Sequence, residues 1–171
     1  TEYYNRLYGP RRWTSAVTLN LAIGQGENAQ TLINMIRFYA MLSSPTGTAP
    51  TPHFVGNPPP SPRSLELSDA DRAGLREALV AVVERGTAGA SRIANLRIAG
   101  KTGTAQNPHG LDHGWFIPFA PAEQPRVVAG AIIEFARHGS SVAPLVTKII
   151  ARYLLGPGET RAREDYPPFV P

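Results

Sequence analysis

Apolar positions recur at two different periods along this chain, and the change of period divides it. Between Gln30 and Ser43, Leu32, Ile36 and Tyr39 fall at i, i+4 and i+7 with Met35 and Leu42 beside them, the spacing of one buried helical face. Residues 44–63 are punctuated by prolines and exclude a helix, with Thr51-Pro52-His53-Phe54-Val55 as a short extended piece among them. Ser68 then reads as the N-cap of a helix reaching about Glu84. Asp71 stands at its third position, Leu75, Leu79, Val82 and Val83 form its apolar stripe, and Gly86 stops it. From Ile93 the pattern becomes that of strands, over Leu96 to Ala105, Trp115 to Ala120 and Arg126 to Phe135. The third run contains Val127 to Ile133, apolar enough for a strand covered on both faces. Ser141 to Leu155 is a closing helix with Pro144 in its first turn and Gly156-Pro157-Gly158 as its stop. Tyr3, Tyr4, Tyr8 and Trp13 around Gly9-Pro10 suggest an irregular, packed lead-in, and the end of the chain, with Pro167-Pro168, a surface extension.

Composition narrows the function classes. At 171 residues and 42% apolar content, the chain has room for one domain with a sizeable core. Its formal charge of +4 comes from scattered basic residues, which gives no footprint for nucleic acid. The absence of cysteine excludes disulfides, thiolate metal sites and a cysteine nucleophile. No segment approaches the roughly 18 unbroken apolar residues of a membrane span.

The candidate chemistry lies in Ala99-Gly100-Lys101-Thr102-Gly103-Thr104-Ala105. On an extended strand, Lys101 supplies a positive charge, and the hydroxyls of Thr102 and Thr104 can bond a carboxylate. Gly103 lets a substrate backbone come close. A backbone N–H aimed at a developing oxyanion would complete a site for acyl transfer. The same Gly-Lys-Thr does not make a phosphate loop. Asn95 occupies the position of the required first glycine, and Gly103, Asn107, Pro108 and Gly110 prevent the helix that should follow. His109 and His113 have a helical zinc spacing, but Pro108, Gly110 and Gly114 break any helix there, so no metal is expected. No Gly-x-Ser-x-Gly occurs to support a serine–histidine triad.

Lys-Thr-Gly is one of three motifs of the penicillin-recognising serine acyltransferases. Four further segments, in the expected order, resemble class B penicillin-binding proteins. They are Asn20-Leu21-Ala22-Ile23-Gly24-Gln25-Gly26-Glu27, Arg85-Gly86-Thr87-Ala88, His113-Gly114-Trp115-Phe116 with Phe119-Ala120-Pro121, and Val127 to Glu134 with Ala143-Pro144. The likeness covers roughly residues 15–155 and leans toward the elongation type, similar to penicillin-binding protein 2. Residues 24–27 are read as a tight turn.

The other two motifs are absent. The chain has two lysines, Lys101 and Lys148, and the residues three before them are Ile98 and Leu145, so there is no Ser-x-x-Lys. None of the seven asparagines follows a serine at two positions, so there is no Ser-x-Asn. The resemblance therefore implies the C-terminal half of an α+β, β-lactamase/transpeptidase-like domain, over residues 1–158, with a tail over 159–171. Three core strands and the closing helix of an antiparallel sheet flanked by helices are expected here. The chain is expected to need an N-terminal complement for stability and to be inactive alone.

The implied activity is D,D-transpeptidation of peptidoglycan stems through an upstream serine, with β-lactams as alternative acylating agents. A D,D-carboxypeptidase, a β-lactamase and a non-catalytic β-lactam sensor or pseudo-enzyme are the alternatives. Lys101 and Thr104 would be the catalytic residues of this chain, Thr104 through its backbone N–H. Thr102, Gly103, Thr104, Gln106 and Trp115 would contact substrate, although Trp115 packing beneath the strand is an equal reading. The resemblance implies no cofactor. Its expected partners are stem peptides, β-lactams, the N-terminal portion of the same protein and a membrane glycan polymerase. It places the protein on the periplasmic face of a bacterial inner membrane, with the anchor upstream.

Overall fold

The computed structural model describes residues 2–9, 13–56 and 60–156, and forms two compact units, residues 1–31 and 32–171. The expected tail over 159–171, and the Pro157-Gly158 part of the predicted stop, lie outside the described residues.

In the first unit the lead-in is not irregular. Glu2–Tyr8 is a helix, α1, on which Tyr3 is 61% exposed rather than packed. Ser15–Ala22 forms a second helix, α2, ahead of the expected glycine turn. Its end does turn tightly. The N–H of Gln25 donates to the Asn20 carbonyl at 2.8 Å, while Gly24 and Gly26 take φ of 75° and 63°, the left-handed region that glycine enters without steric cost.

The second unit is built on an antiparallel sheet. Leu32–Ser43 is helix α3, as its spacing predicts, with Tyr39 and Leu42 buried. The proline-rich stretch that follows is extended on either side of Thr51–Val55, not within it. Thr48–Pro50 (β1) pairs antiparallel with Pro60–Ser64 (β2), and Thr51–Val55 lies in the connection, where Phe54 and Val55 are fully exposed.

Asp69–Arg85 is helix α4, capped as expected by the Ser68 hydroxyl accepting the Asp71 N–H at 3.1 Å. Its buried face keeps most of the expected stripe, since Val83 is buried and Leu79 and Val82 pack half-buried against the core. Leu75, however, is 43% exposed, and the inner line is completed by Arg72, Arg76 and Val80. The reason is electrostatic. The Arg76 guanidinium donates to the carbonyls of Leu42, Ser43 and Ser44, and that of Arg72 to Pro45, so two cations satisfy carbonyls left open at the C-terminal end of α3 and just beyond it. Gly86 ends α4 without a left-handed turn (φ −115°). A Cβ there would meet the Val82 Cα and carbonyl oxygen at 2.9 Å, so close approach is what requires glycine.

The sheet proper contains Ala99–Ala105 (β3), His113–Ala120 (β4), Val127–Val128 (β5) and Ala131–Ile133 (β6). Strand β4 is central. It pairs with β3 from Ala99↔Phe119 to Ala105↔His113 and, on its other side, with β5 and β6. The single third strand expected over residues 126–135 is thus two short pieces in one register, Ala120↔Val127 to Gly114↔Ile133. The break falls opposite Pro118. Its carbonyl accepts the Ala129 N–H at 3.1 Å, but proline has no N–H to return. Nor is this run covered on both faces, since Ile132 and Ile133 are each 37% exposed.

Opposed residues on paired strands share a face, so alternation sorts the core into two. Gly139–Leu155, helix α5, covers one face by burying Val142, Ala143, Val146 and Ile150 against Phe116 and Ala120. Helix α3 covers the other, where Tyr39 with Met35 and Ile36 meets Ile117, Phe119 and Ala99. Helix α4 runs beside β3 and gives Val83 to the first cluster and Val80 to the second. Because α5 begins at Gly139, Pro144 is its sixth residue and lies beyond the first turn. Gly156 stops the helix with φ 89°.

Candidate active site

The outer edge of β3 is where the predicted residues meet, and backbone geometry decides which groups it offers. Along an antiparallel strand each residue directs its N–H and C=O to the same side, and successive residues alternate. The Pro118 carbonyl points toward β5 and β6, since it accepts from Ala129. Trp115, Ile117 and Phe119 of β4 therefore direct their backbone groups toward β3, to Gly103, Lys101 and Ala99. It follows that Gly100, Thr102 and Thr104 turn their N–H and C=O outward, away from β4. The missing N–H of Pro118 costs the ladder a bond on the β5/β6 side only, and the β3–β4 pairing is complete over seven residues.

Side chains alternate in the other sense. Lys101 and Gly103 share the α3 face with Ile117 and Trp115, while Thr102 and Thr104 share the α5 face with Phe116 and Gly114. Lys101 is exposed, and its Nζ reaches round to donate to the outward Thr102 carbonyl at 2.7 Å. That brings its charge to the edge although its Cβ does not start there.

The two threonines differ. Thr104 is exposed, and its Oγ1 lies 3.4 Å from the Gly139 N–H at the start of α5, a long and therefore weak bond. Thr102 is only 9% exposed, and its Oγ1 lies 2.7 Å from the Oγ1 of Thr87, between α4 and β3. Thr87 is the one residue at this edge that the motif reading gave no role. The signal for it was present in Arg85-Gly86-Thr87-Ala88, whose parts now separate. Gly86 closes on Val82, Ala88 is 2% exposed and its N–H donates to the Val82 carbonyl, and Thr87 is left facing outward between them.

Gly103 does not face open space. A Cβ on it would lie 3.3 Å from the Trp115 Cβ, on the face where Trp115 packs against the Tyr39 and Ile117 cluster. Trp115 itself is half-buried there. Gln106 is exposed at the start of the β3–β4 connection. Asn107 shapes that connection. Its Oδ1 accepts the His109 N–H at 3.0 Å, its Nδ2 donates to the Leu111 carbonyl at 3.2 Å, and its own N–H donates to Asp112 at 3.1 Å. The Nδ1 of His113 accepts the Phe135 N–H at 3.1 Å, which places that ring's neutral proton on Nε2. Among the described residues no group of three or more His, Asp or Glu converges on a point.

The opposite end of β3 differs in character. Arg97 donates to Glu77, Glu84 and Glu123 at 2.9, 3.1 and 3.0 Å, joining α4 to the segments that enter β3 and leave β4 at one end of the pair. Those contacts raise the Arg97 guanidinium above its usual range and hold the Glu123 carboxyl below the usual carboxylate value. A cavity of about 670 Å³ lies beside this network, lined by Val83, Ile93, Ile98 and Leu154, and contains none of the Lys-Thr-Gly residues.

Comparison with known proteins gives the family of the chain. The family model described as the penicillin-binding protein transpeptidase domain matches residues 4–151. A peptidoglycan D,D-transpeptidase, MrdA, of Acinetobacter baumannii is 31% identical over 170 residues, covering 84% of this chain and 25% of that protein. The penicillin-binding protein PBP2 of Helicobacter pylori superposes with a TM-score of 0.77 at 27% identity, over 91% of this chain and 30% of its own. PBP2 of Pseudomonas aeruginosa, solved in complex with WCK 5153, superposes at 0.73 with 31% identity, over 97% and 38%. The chain spans between a quarter and two-fifths of the length of these relatives. With its strand order, its Lys-Thr-Gly edge strand and this match over most of its length, the chain belongs to the penicillin-binding protein transpeptidase domain family.

Proposed function

We propose that this chain is the C-terminal portion, residues 1–158, of a D,D-transpeptidase that cross-links peptidoglycan and is acylated by β-lactams. Its elongation-type affinity is supported by the relatives named MrdA and PBP2. The observation that carries the reading is the outer edge of β3. There an outward Thr104 N–H, an outward Thr102 carbonyl held by Lys101 and the exposed Thr104 hydroxyl stand in one row.

In the first step an upstream serine Oγ attacks the carbonyl between two terminal D-alanines. The peptide C–N bond breaks, and the last D-alanine leaves with the proton. In the second, an amine of a neighbouring stem attacks the resulting ester, forms the new amide and returns the proton to the serine. The Thr104 N–H donates to the carbonyl oxygen as it gains charge, and loss of such a donor costs on the order of 100- to 1000-fold in rate. Lys101 attracts the terminal carboxylate and orients the upstream nucleophile. The substrate backbone lies along β3 as an added strand, with Gln106 at its rim. Its supporting partners are the upstream portion that carries Ser-x-x-Lys and Ser-x-Asn, a membrane glycan polymerase, and the periplasmic face of the inner membrane on which all would sit. No helix among the described residues is itself long and apolar enough to cross a membrane.

The test is intact-mass spectrometry of the protein containing this chain together with its upstream portion, before and after benzylpenicillin. A mass gain equal to the drug on an upstream serine peptide, lost in Lys101→Ala, supports the reading. An unlabelled parent protein refutes it.

A further inference from the structure

Two residues of the connection from β6 to α5, Phe135 and Arg137, take φ of 60° and 67°, a left-handed backbone that is costly for any residue with a side chain. Such a turn persists only where its surroundings hold it. Two hydrogen bonds to the start of β4 do so. The Arg137 N–H donates to the Asp112 carbonyl at 2.9 Å, and the Phe135 N–H donates to Nδ1 of His113 at 3.1 Å. The second lies at the surface, where water can satisfy the same N–H, so it does not spare a buried donor. What it does is fix a conformation. The His113 and Phe135 rings also meet edge to face at 5.3 Å, and a Cβ on Gly110 would lie 3.5 Å from the Phe135 ring, which brings the β3–β4 connection to the same point.

The turn delivers the start of α5 to the Lys-Thr-Gly strand. Two residues beyond Arg137, the Gly139 N–H approaches the Thr104 hydroxyl at 3.4 Å, and a Cβ on Gly139 would lie 2.7 Å from the Gly103 nitrogen. His113 itself stands opposite Ala105, the residue after Thr104. Resting on the transpeptidase reading above, we infer that His113 is a positioning residue for acyl transfer. Its ring holds the β6–α5 turn in its strained form, the turn seats Gly139 on β3, and that seat fixes the direction of the Thr104 N–H, the oxyanion donor of that reading. His113 thus acts through Phe135 and Gly139 rather than on the substrate. A donor that is slightly misaimed loses most of its value in the transition state and little in ground-state binding.

The test uses the protein with its upstream portion and benzylpenicillin as the probe. Acylation is followed by intact mass over a range of drug concentrations for the parent, His113→Leu and His113→Asn. The two variants have side chains of the same shape and both lack the ring, but only asparagine puts an acceptor, Oδ1, where Nδ1 stood. The limiting acylation rate of His113→Leu should fall roughly tenfold, the loss of one hydrogen bond, with the half-saturating concentration within about threefold of the parent. His113→Asn should recover the rate to within about threefold. A parent that is acylated while both variants keep its rate, while both lose it equally, or while the whole loss lies in the half-saturating concentration overturns the inference and leaves the transpeptidase reading standing. If His113→Leu alone does not fold, Phe135→Gly decides, because glycine takes φ of 60° at no steric cost. Adding His113→Leu to Phe135→Gly should then cost no more than about threefold in rate, and a tenfold loss or an unfolded double variant overturns the inference. A parent that is not acylated overturns both readings.

Discussion

Replacing Gly139 by alanine should damage the fold and the site together. The magnitude follows from where the new methyl would sit. Its Cβ would lie 2.4 Å from the Gly103 carbonyl oxygen, 2.5 Å from that of Trp115 and 2.7 Å from the Gly103 nitrogen, where ordinary contact begins at 3.4 Å. All three are backbone atoms of the β3–β4 pair and cannot rotate away, so the start of α5 must lift by about 1 Å. A gap of that size forfeits about a quarter to a half of the dispersion energy of the first buried layer, Val142 and Ala143. With residual strain of about 1–3 kcal/mol for overpacking, the total loss is about 2–4 kcal/mol. Gly103→Ala is the control. Its Cβ meets only the Trp115 Cβ at 3.3 Å, a contact relieved by a few tenths of an ångström, so it should cost under about 1.5 kcal/mol. Urea denaturation followed by Trp115 fluorescence, in the protein with its upstream portion, reads both variants. The midpoint should fall by about 1–2 M for Gly139→Ala and much less for Gly103→Ala. Equal midpoints for Gly139→Ala and the parent would refute the claim that α5 is seated on the Lys-Thr-Gly strand by close backbone contact.

Gly74 is the opposite case, a helical glycine of α4 whose added Cβ would meet nothing within 4 Å. Gly74→Ala should stabilise the protein by about 0.5–1 kcal/mol, read as a raised urea midpoint, because it removes the unfolded chain's excess freedom at no steric cost. At the far end of β3, the lowered Glu123 carboxyl means that its pairing with Arg97 contributes stability above the ordinary carboxylate pKa. That contribution is lost as pH falls through the lower folded value. The difference in Tm between parent and Arg97→Met should therefore be present at pH 7 and shrink below about pH 4, and should also shrink in high salt. A difference independent of pH would show that Arg97 acts through packing alone.

The elements whose signals are local were legible in the sequence. The α3 spacing, the Ser68 cap and the three runs of strand residues all describe interactions within a few positions, and the structure places helices and strands there. The class of chemistry was legible for the same reason, because Lys101-Thr102-Gly103-Thr104 is one contiguous strand. What needed the tertiary structure is whatever depends on a partner distant in sequence. Leu75 reads as core, yet the inner face of α4 begins with Arg72 and Arg76, because the carbonyls they satisfy lie some thirty residues earlier, at 42–45. The run from Arg126 to Phe135 reads as one strand, and Pro118 of the neighbouring strand divides it.

At the candidate site the same division holds. The sequence by itself determined which residues stand on the edge strand and, from its motif order, the family they resemble. Only the fold decided that Lys101 starts on the α3 face and the threonines on the α5 face, that Thr102 is buried against Thr87, and that Trp115 packs half-buried against the Tyr39 cluster. Alternation along a strand can be counted from the sequence, but which face is covered, and by what, depends on α3, α4 and α5 folding back from either side. Contacts of that kind leave no periodic trace in the segment that receives them.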